Sequence, residues 1–408
     1  MNEKKALIPS GWKETTLGEI AEILSGSTPS TKDHSYWGGD IPWITPKDLS
    51  EHSGVYISNG ERHITKEGLK NSSAQLLPKN TVLFSSRAPI GYVAIAEREL
   101  ATNQGFKNIV CDEKVTHFRF IYYWLKKSKE FIERISSGST FSEASASVMR
   151  SLKIELPPLP EQRAIAAVLS SLDDKIELLR AQNKTLENIA QALFKRWFES
   201  EKWDKRIESL PIRIIDGDRG VNYPSQDDLV DKGYCLFLSA ENVTDEGFKF
   251  DNCSFISKEK DKILRSGKLN RNDIVLTSRG TVGNIVFCDK YIAHEHIRIN
   301  SGMLIFRYDD KDVGNIFLYS LMNTQRFSDL IRSYLSGSAQ PQLPIKDIRK
   351  MEIIGPKKEQ ILEYTKVAES VYEKLFFNKY QINKIGSMRD AILPKLMKGE
   401  VRVKGLRS

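Results

Sequence analysis

The run EQRAIAAVLSSLDDKIELLRAQNKTLENIAQALFKRW, residues 161–197, decides how the rest of the chain is organised. Picked alternately at steps of four and three, it yields Ile165, Leu169, Leu172, Ile176, Leu179 and Asn183, then Leu186, Ala190, Leu193 and Trp197. All but Asn183 are apolar, and no proline or glycine interrupts them. That is the seam of a coiled-coil helix rather than a broad amphipathic face. Pro157, Pro158 and Pro160 stop whatever precedes and fix where the helix can begin. At 1.5 Å per residue the rod is roughly 55 Å long. A stripe this narrow needs another helix to cover it.

The other end of the chain offers one. From Glu359 to Leu396 the same picking gives Ile361, Tyr364, Ala368, Val371, Leu375 and Asn378, then Ile382, Ile385, Arg389, Ile392 and Leu396. Each rod opens with Glu-Gln shortly after a proline, Glu161-Gln162 after Pro160 and Glu359-Gln360 after Pro356. If the rods run antiparallel with centres matched, Asn183 and Asn378 fall within about one turn of each other. A buried Asn costs stability but can set register; the alternative is that each points outward at a frayed edge of its stripe. The second rod is the weaker, with Gly386, with Arg389 in its stripe, and with Pro394, whose missing N–H predicts a kink or termination around Leu393.

At 408 residues the chain is long enough for two or three domains. Its 40% hydrophobic and 28% charged residues are ordinary for a globular protein with a core. A net charge of +8 favours a polyanionic partner. Cys111, Cys235, Cys253 and Cys288 are scattered, with neither metal-ligand spacing nor a disulfide framework. No apolar run is long enough to span a membrane and the first residues are not a signal peptide, so the cytoplasm is the expected location.

A repeat spans the chain. PKNTVLFSSRAPIG (78–91) lies without a gap over NRNDIVLTSRGTVG (270–283), matching Asn80 to Asn272, Ser86 to Ser278, Arg87 to Arg279 and Gly91 to Gly283. In the first copy, strands are expected at Thr81 to Phe84 and Gly91 to Ile95, and a helix at His117 to Ile135. Pro42 limits Ile41 to Ile44 to a short edge strand at best. In the second copy, Ile316 to Leu335 replays that helix, and Ser336-Gly337-Ser338 replays Ser137-Gly138-Ser139. The order is globule, rod, globule, rod, with boundaries at residues 1–156, 157–201, 202–355 and 356–408. The fold class is α+β. The copies diverge most near their starts, Gly26 to Trp43 against Ile214 to Pro224, as one scaffold presenting two surfaces would.

Enzyme motifs are missing. There is no G-x-x-x-x-G-K-[ST] loop and no G-x-G-x-x-G after a strand. Leu156-Pro157-Pro158-Leu159 has no amide or carboxylate to hold a flipped base. His294-Glu295-His296 places two imidazoles on one face of an expected strand, but too few ligands lie nearby for zinc. Binding residues are more plentiful. Lys47, Arg87, Lys107, Arg150, Arg219, Arg279, Arg298 and Lys346 lie in or beside loops, interleaved with Tyr36, Trp37, Trp43 and Tyr223. Cations meet phosphates, and Arg can bond guanine bidentately. Arg87 and Arg279 each follow a serine, Ser86 and Ser278, at the end of a strand. The candidates also include Asn222, Thr277, Ser139, Ser338, Gln340 and Gln342. The structural alternatives are bracing for the arginines, core packing for the tryptophans and helix capping for the Gly-Ser loops.

Leu156-Pro157-Pro158-Leu159-Pro160-Glu161-Gln162 with its heptad rod, Gly11-Trp12 with Leu17-Gly18-Glu19-Ile20, Ile214 to Gly220, Ser336-Gly337-Ser338, and Pro356 to Gln360 together resemble the specificity subunits of type I restriction–modification enzymes. The resemblance covers nearly the whole chain. It implies two repeated target-recognition domains separated by two long conserved helices that form an antiparallel coiled coil. Each domain would read one half of a bipartite, asymmetric target in double-stranded DNA. The helices would set the spacer and dock two methylation subunits, and restriction subunits would join them. This chain would bind no cofactor; S-adenosylmethionine, ATP and Mg would sit in the partners. The alternatives are a fused methyltransferase–endonuclease and a protein-binding adaptor.

Overall fold

The structure, a computed structural model, describes residues 8–87, 89–136, 143–244, 247–310, 313–336 and 341–403. The chain folds as two compact units, Met1–Leu178 with Ile382–Ser408, and Leu179–Gln381. The division falls within the long helices Leu159–Phe198 and Lys358–Met397, because each half-helix buries its stripe in the core of its own unit.

In the first unit, Ala21–Ser25, Phe106–Cys111, Val82–Ser85, Val93–Ala96 and Tyr56–Ile57 form a five-stranded sheet in that order. Arg62–Ile64, Trp37–Ile44 and Ala101–Thr102 form a smaller one. The strand through Pro42 is therefore central, not an edge. Its parallel neighbour pairs only with Trp43 and Ile44, so no partner needs the N–H that Pro42 lacks. Helix Phe118–Ser136 turns Phe120, Ile121 and Leu125 into a core shared with Leu17, Phe84, Ile165, Leu169 and the helix end at Leu393, Leu396 and Met397. That burial explains why the second long helix runs past Pro394 instead of stopping near Leu393. Burial of three large side chains is worth several kcal/mol, enough to offset the hydrogen bond that Pro394 removes (about 3 kcal/mol).

The second unit repeats the plan. Ile212–Asp216, Met303–Tyr308, Ile274–Thr277 and Ile285–Phe287 form one sheet, and Ser254–Ile256, Cys235–Leu238, Ile297–Ile299 and Lys268–Leu269 the other. The three-stranded sheet of the first unit and the sheet through Cys235–Leu238 in the second each keep a parallel pair, Trp43 beside Ala101 and Leu236 beside Ile297. The helix expected at Ile316 to Leu335 is split into Ile316–Met322 and Gln325–Ser333, because the Thr324 hydroxyl accepts from Phe327 N–H and starts a new helix.

The aligned block also shares backbone conformation and hydrogen bonds. Asn80 and Asn272 both hold positive φ, 71° and 70°, and Gly91 and Gly283 hold 98° and 103°. Tyr92 N–H donates to the Ser85 hydroxyl and Asn284 N–H to that of Thr277, at 2.8 and 2.9 Å.

Both stripes face inward. Ile165, Leu169, Ile176, Leu179, Leu375 and Asn378 are buried, while Leu172, Leu186, Leu193, Val371, Ile382 and Ile385 are half-buried. Within the first unit Arg389 Nη1 donates to Asp173 Oδ1 at 2.5 Å. Within the second, Asn378 Nδ2 donates to Asn183 Oδ1 at 3.0 Å, and Gln360 Nε2 to the Trp197 carbonyl at 3.2 Å. Partner numbers rise along one helix as they fall along the other, so the helices pair antiparallel. Arg389 is thus no weak point in its stripe. Burial pulls its ionisation down, but the Asp173 hydrogen bond and charge outweigh that and leave it raised.

Candidate nucleic-acid interface

In the second unit, strand Ile274–Thr277 ends in a turn stapled by its last residue. The Thr277 hydroxyl donates to the Thr281 carbonyl at 2.5 Å while accepting from Asn284 N–H. Ser278 follows, its N–H on the Gly302 carbonyl at 2.8 Å and its carbonyl accepting from Leu343 N–H at 3.0 Å. Arg279 is thereby delivered beside Gln342, with which its backbone forms a bridge. From another direction, strand Ile212–Asp216 leads into Gly217, where any Cβ would lie 2.1 Å from the Asn300 carbonyl oxygen. Only glycine fits there, and the close approach carries Arg219 to the same place. Arg219 Nε lies 3.0 Å from Asp216 Oδ2, and its Nη2 donates to the Ser301 carbonyl at 3.1 Å. Asp218 shapes the loop by accepting from the N–H groups of Gly220 and Arg265 at 2.7 and 2.6 Å. Burial opposes its ionisation, but these backbone donors prevail and hold its carboxyl below the ordinary value.

Asp216, Arg219, Ser278, Arg279, Gln342 and Lys346 line one cavity of about 270 Å³. Three cations face one carboxylate. The Arg279 and Lys346 side chains are exposed and make no hydrogen bond or ion pair among the described residues. Such unpaired cations on a rigid backbone suit a polyanion.

The first unit builds the same scaffold. Ser86 N–H donates to the Gly105 carbonyl at 2.7 Å, and Ala144 N–H to the Ser86 carbonyl at 2.9 Å. A Cβ on Gly26 would lie 1.9 Å from the Asn103 carbonyl oxygen, as at Gly217. Arg87 is half-buried with no ion pair or side-chain hydrogen bond among the described residues. Asn103 and Asn300 underpin the two scaffolds alike, each Oδ1 accepting at 2.9 Å from the N–H of the glycine two residues on. Sequence reasoning passed over this pair, although Asn103-Gln104-Gly105 and Asn300-Ser301-Gly302 share the N-x-G pattern that carries it.

Of the expected contact residues, the cavity unites Arg219, Ser278, Arg279, Gln342 and Lys346. Trp43 (4% exposed), Ser86 (0%), Thr277 (0%) and Ser278 (3%) are buried, and each forms part of the scaffold under the loops. The indole N–H of Trp43 bonds the Ser27 carbonyl, and Ser86 Oγ the Gly105 carbonyl. Lys47 is exposed but ion-paired with Glu61 at 2.9 Å. Tyr223 packs edge-on to Phe237, and Asn222 is half-buried beside it. Trp37 is half-buried, with its indole N–H on the Ser30 carbonyl. Lys107 and Arg298 are buried and paired with Glu143 and Asp261, so they brace the domains. Arg150 bonds the Ile23 carbonyl. Ser139, Ser338 and Gln340 lie outside the described residues.

His294 and His296 lie not on a strand but in the loop before Ile297–Ile299, packed on Phe250 and Phe255 and on Tyr234 respectively. Among the described residues no group of metal-ligating side chains forms, and no helix is long and apolar enough to cross a membrane.

Comparison with known proteins agrees with this architecture. Residues 9–188 match the family model described as "Type I restriction modification DNA specificity domain". The chain is 35% identical over 426 residues to the type I restriction enzyme MjaIX specificity subunit of Methanocaldococcus jannaschii, covering 98% of this chain and 95% of that one. It is 30% identical over 169 residues, 40% of each chain, to the EcoR124I/EcoR124II specificity subunit of Escherichia coli. The crystal structure of a type I restriction-modification S subunit from M. genitalium shares the fold, with a TM-score of 0.59 at 18% identity over 97% of this chain and 99% of that one. With a relative of this identity aligned along nearly its full length, and the duplicated architecture in place, the chain belongs to the family of type I restriction enzyme specificity subunits.

Proposed function

We propose that this chain is the DNA-reading subunit of a cytoplasmic type I restriction–modification complex and catalyses nothing itself. Each globular domain contacts one half of a bipartite, asymmetric target in double-stranded DNA. The long helices set the unread spacer and dock two methylation subunits, to which restriction subunits add. S-adenosylmethionine, ATP and Mg belong to those partners. The observation carrying the reading is the cavity where Arg219, Arg279 and Lys346 converge on a scaffold present in both domains. The domains carry different side chains on that scaffold, Thr28 standing where Arg219 stands after the tight glycine, so the two half-sites differ. The test is to map methylated adenines in host DNA with and without this chain. A two-part motif that vanishes on deletion is expected; methylation unchanged by deletion would end the reading.

A further inference from the structure

The first domain lacks a cation at the position of Arg219, yet a different arginine is held beside the same loop. Arg62 lies directly across from Trp43 in the antiparallel pairing of Trp37–Ile44 with Arg62–Ile64, so the two side chains share a face. Its guanidinium carbon sits 3.5 Å from the centre of the Trp37 ring and 5.6 Å from that of Trp43. The two indoles meet edge to face at 5.0 Å, which fixes the platform. They are tied in turn to the loop after Gly26, through the carbonyls of Ser30 and Ser27. That loop is the counterpart of Gly217 to Gly220, which places Arg219 in the second domain.

The neighbouring carboxylates do not engage Arg62. Glu61 is paired with Lys47, and Asp48 accepts from the N–H groups of Thr45 and Glu61. Arg62 is exposed and has no hydrogen bond or ion pair among the described residues. A guanidinium at stacking distance from an indole keeps its five N–H groups around its rim, free for a planar acceptor pair. Stacking restrains the side chain before any ligand arrives, which lowers the side-chain entropy lost on contact.

We infer that Arg62, stacked on Trp37, is a specificity-determining residue of the first domain that bonds a guanine edge in the DNA half-site this domain reads. The inference rests on the DNA-reading function proposed above. Its chemistry is a bidentate contact to O6 and N7 from a planar fork held flat on the indole, a geometry that the flexible ammonium of a lysine does not hold.

The test selects bound duplexes from a random library, using the full chain in the assembly purified from its host. Wild type, Arg62→Ala, Arg62→Lys and Arg279→Ala are compared, with thermal unfolding of each as a check on folding. Wild type selects a two-part motif. Arg62→Ala is expected to lose preference at a G·C pair in one half by roughly ten-fold or more, leaving the other half unchanged. Arg62→Lys restores overall affinity but not that preference. An unchanged motif in Arg62→Ala, or weakening spread evenly over all duplexes, overturns the inference while leaving the DNA-reading function intact. A wild-type assembly that selects no motif overturns that function instead.

Discussion

Asn378, with none of its surface exposed, donates from Nδ2 to Oδ1 of Asn183, which is 7% exposed, across the helix pair at 3.0 Å. The Asn378 carbonyl oxygen itself is buried with no hydrogen-bond partner among the described residues. This single bond between facing amides forms in one register only; a shift by a turn would bury the Asn378 donor and the Asn183 acceptor alone, at about 1–3 kcal/mol each. Asn183→Leu and Asn378→Leu should each destabilise the full chain in urea unfolding. The double variant should lose less than the sum, with a coupling above about 0.5 kcal/mol. Additive losses would remove direct contact as the cause.

Asp173 receives Arg389 Nη1 at 2.5 Å and the Tyr123 hydroxyl at 2.6 Å while only 4% exposed. Removing Asp173 leaves the half-buried Arg389 with only the exposed Asp390, at 2.8 Å, as its charge partner. Asp173→Ala should therefore lower Tm, at a cost below the roughly 3–5 kcal/mol of a fully stranded buried charge. Asp173→Leu combined with Arg389→Met should recover most of it, because two apolar side chains leave no charge to solvate. If the combined variant is no more stable than Asp173→Ala, the helix pair needs this contact for some other reason.

Acid should loosen the second domain through Asp261. Burial works against ionisation of this carboxyl, but hydrogen bonds from Lys268 and Arg298 exceed it and hold the group below its ordinary 3.8. A depressed folded value contributes stability fully above 3.8, and the contribution is lost as pH falls through the folded value. Tm measured from pH 5 downward should fall more steeply for wild type than for Asp261→Asn. That variant is less stable at neutral pH because it leaves Arg298, 7% exposed, without its charge partner. Parallel acid profiles would mean other carboxylates dominate.

The cavity cations divide into two roles. Arg279 stands on a rigid strand end and can reach a base edge, whereas Lys346 is a flexible point charge suited to phosphate. Arg279→Ala should relax recognition at one position of the second half-site by about 1–3 kcal/mol. Lys346→Ala should weaken all duplexes alike and lower the slope of log affinity against log salt by about 1. Binding titrations at several salt concentrations separate the two; equal, salt-independent losses would contradict both assignments.

Periodicity by itself determined the two long helices, their apolar stripes and the duplicated plan, because a heptad seam and a gapless repeat are local properties of the chain. The opposed asparagines were also within reach, since helix geometry converts sequence spacing into distance. Tertiary structure alone decided where Trp43, Ser86 and Thr277 lie, for burial depends on which sheet covers a strand end and not on residue type. It decided that Pro394 continues a helix, because the burial of Leu396 and Met397 outweighs one missing hydrogen bond. It also set Arg62 on Trp37, a pairing between two strands that no local pattern announces.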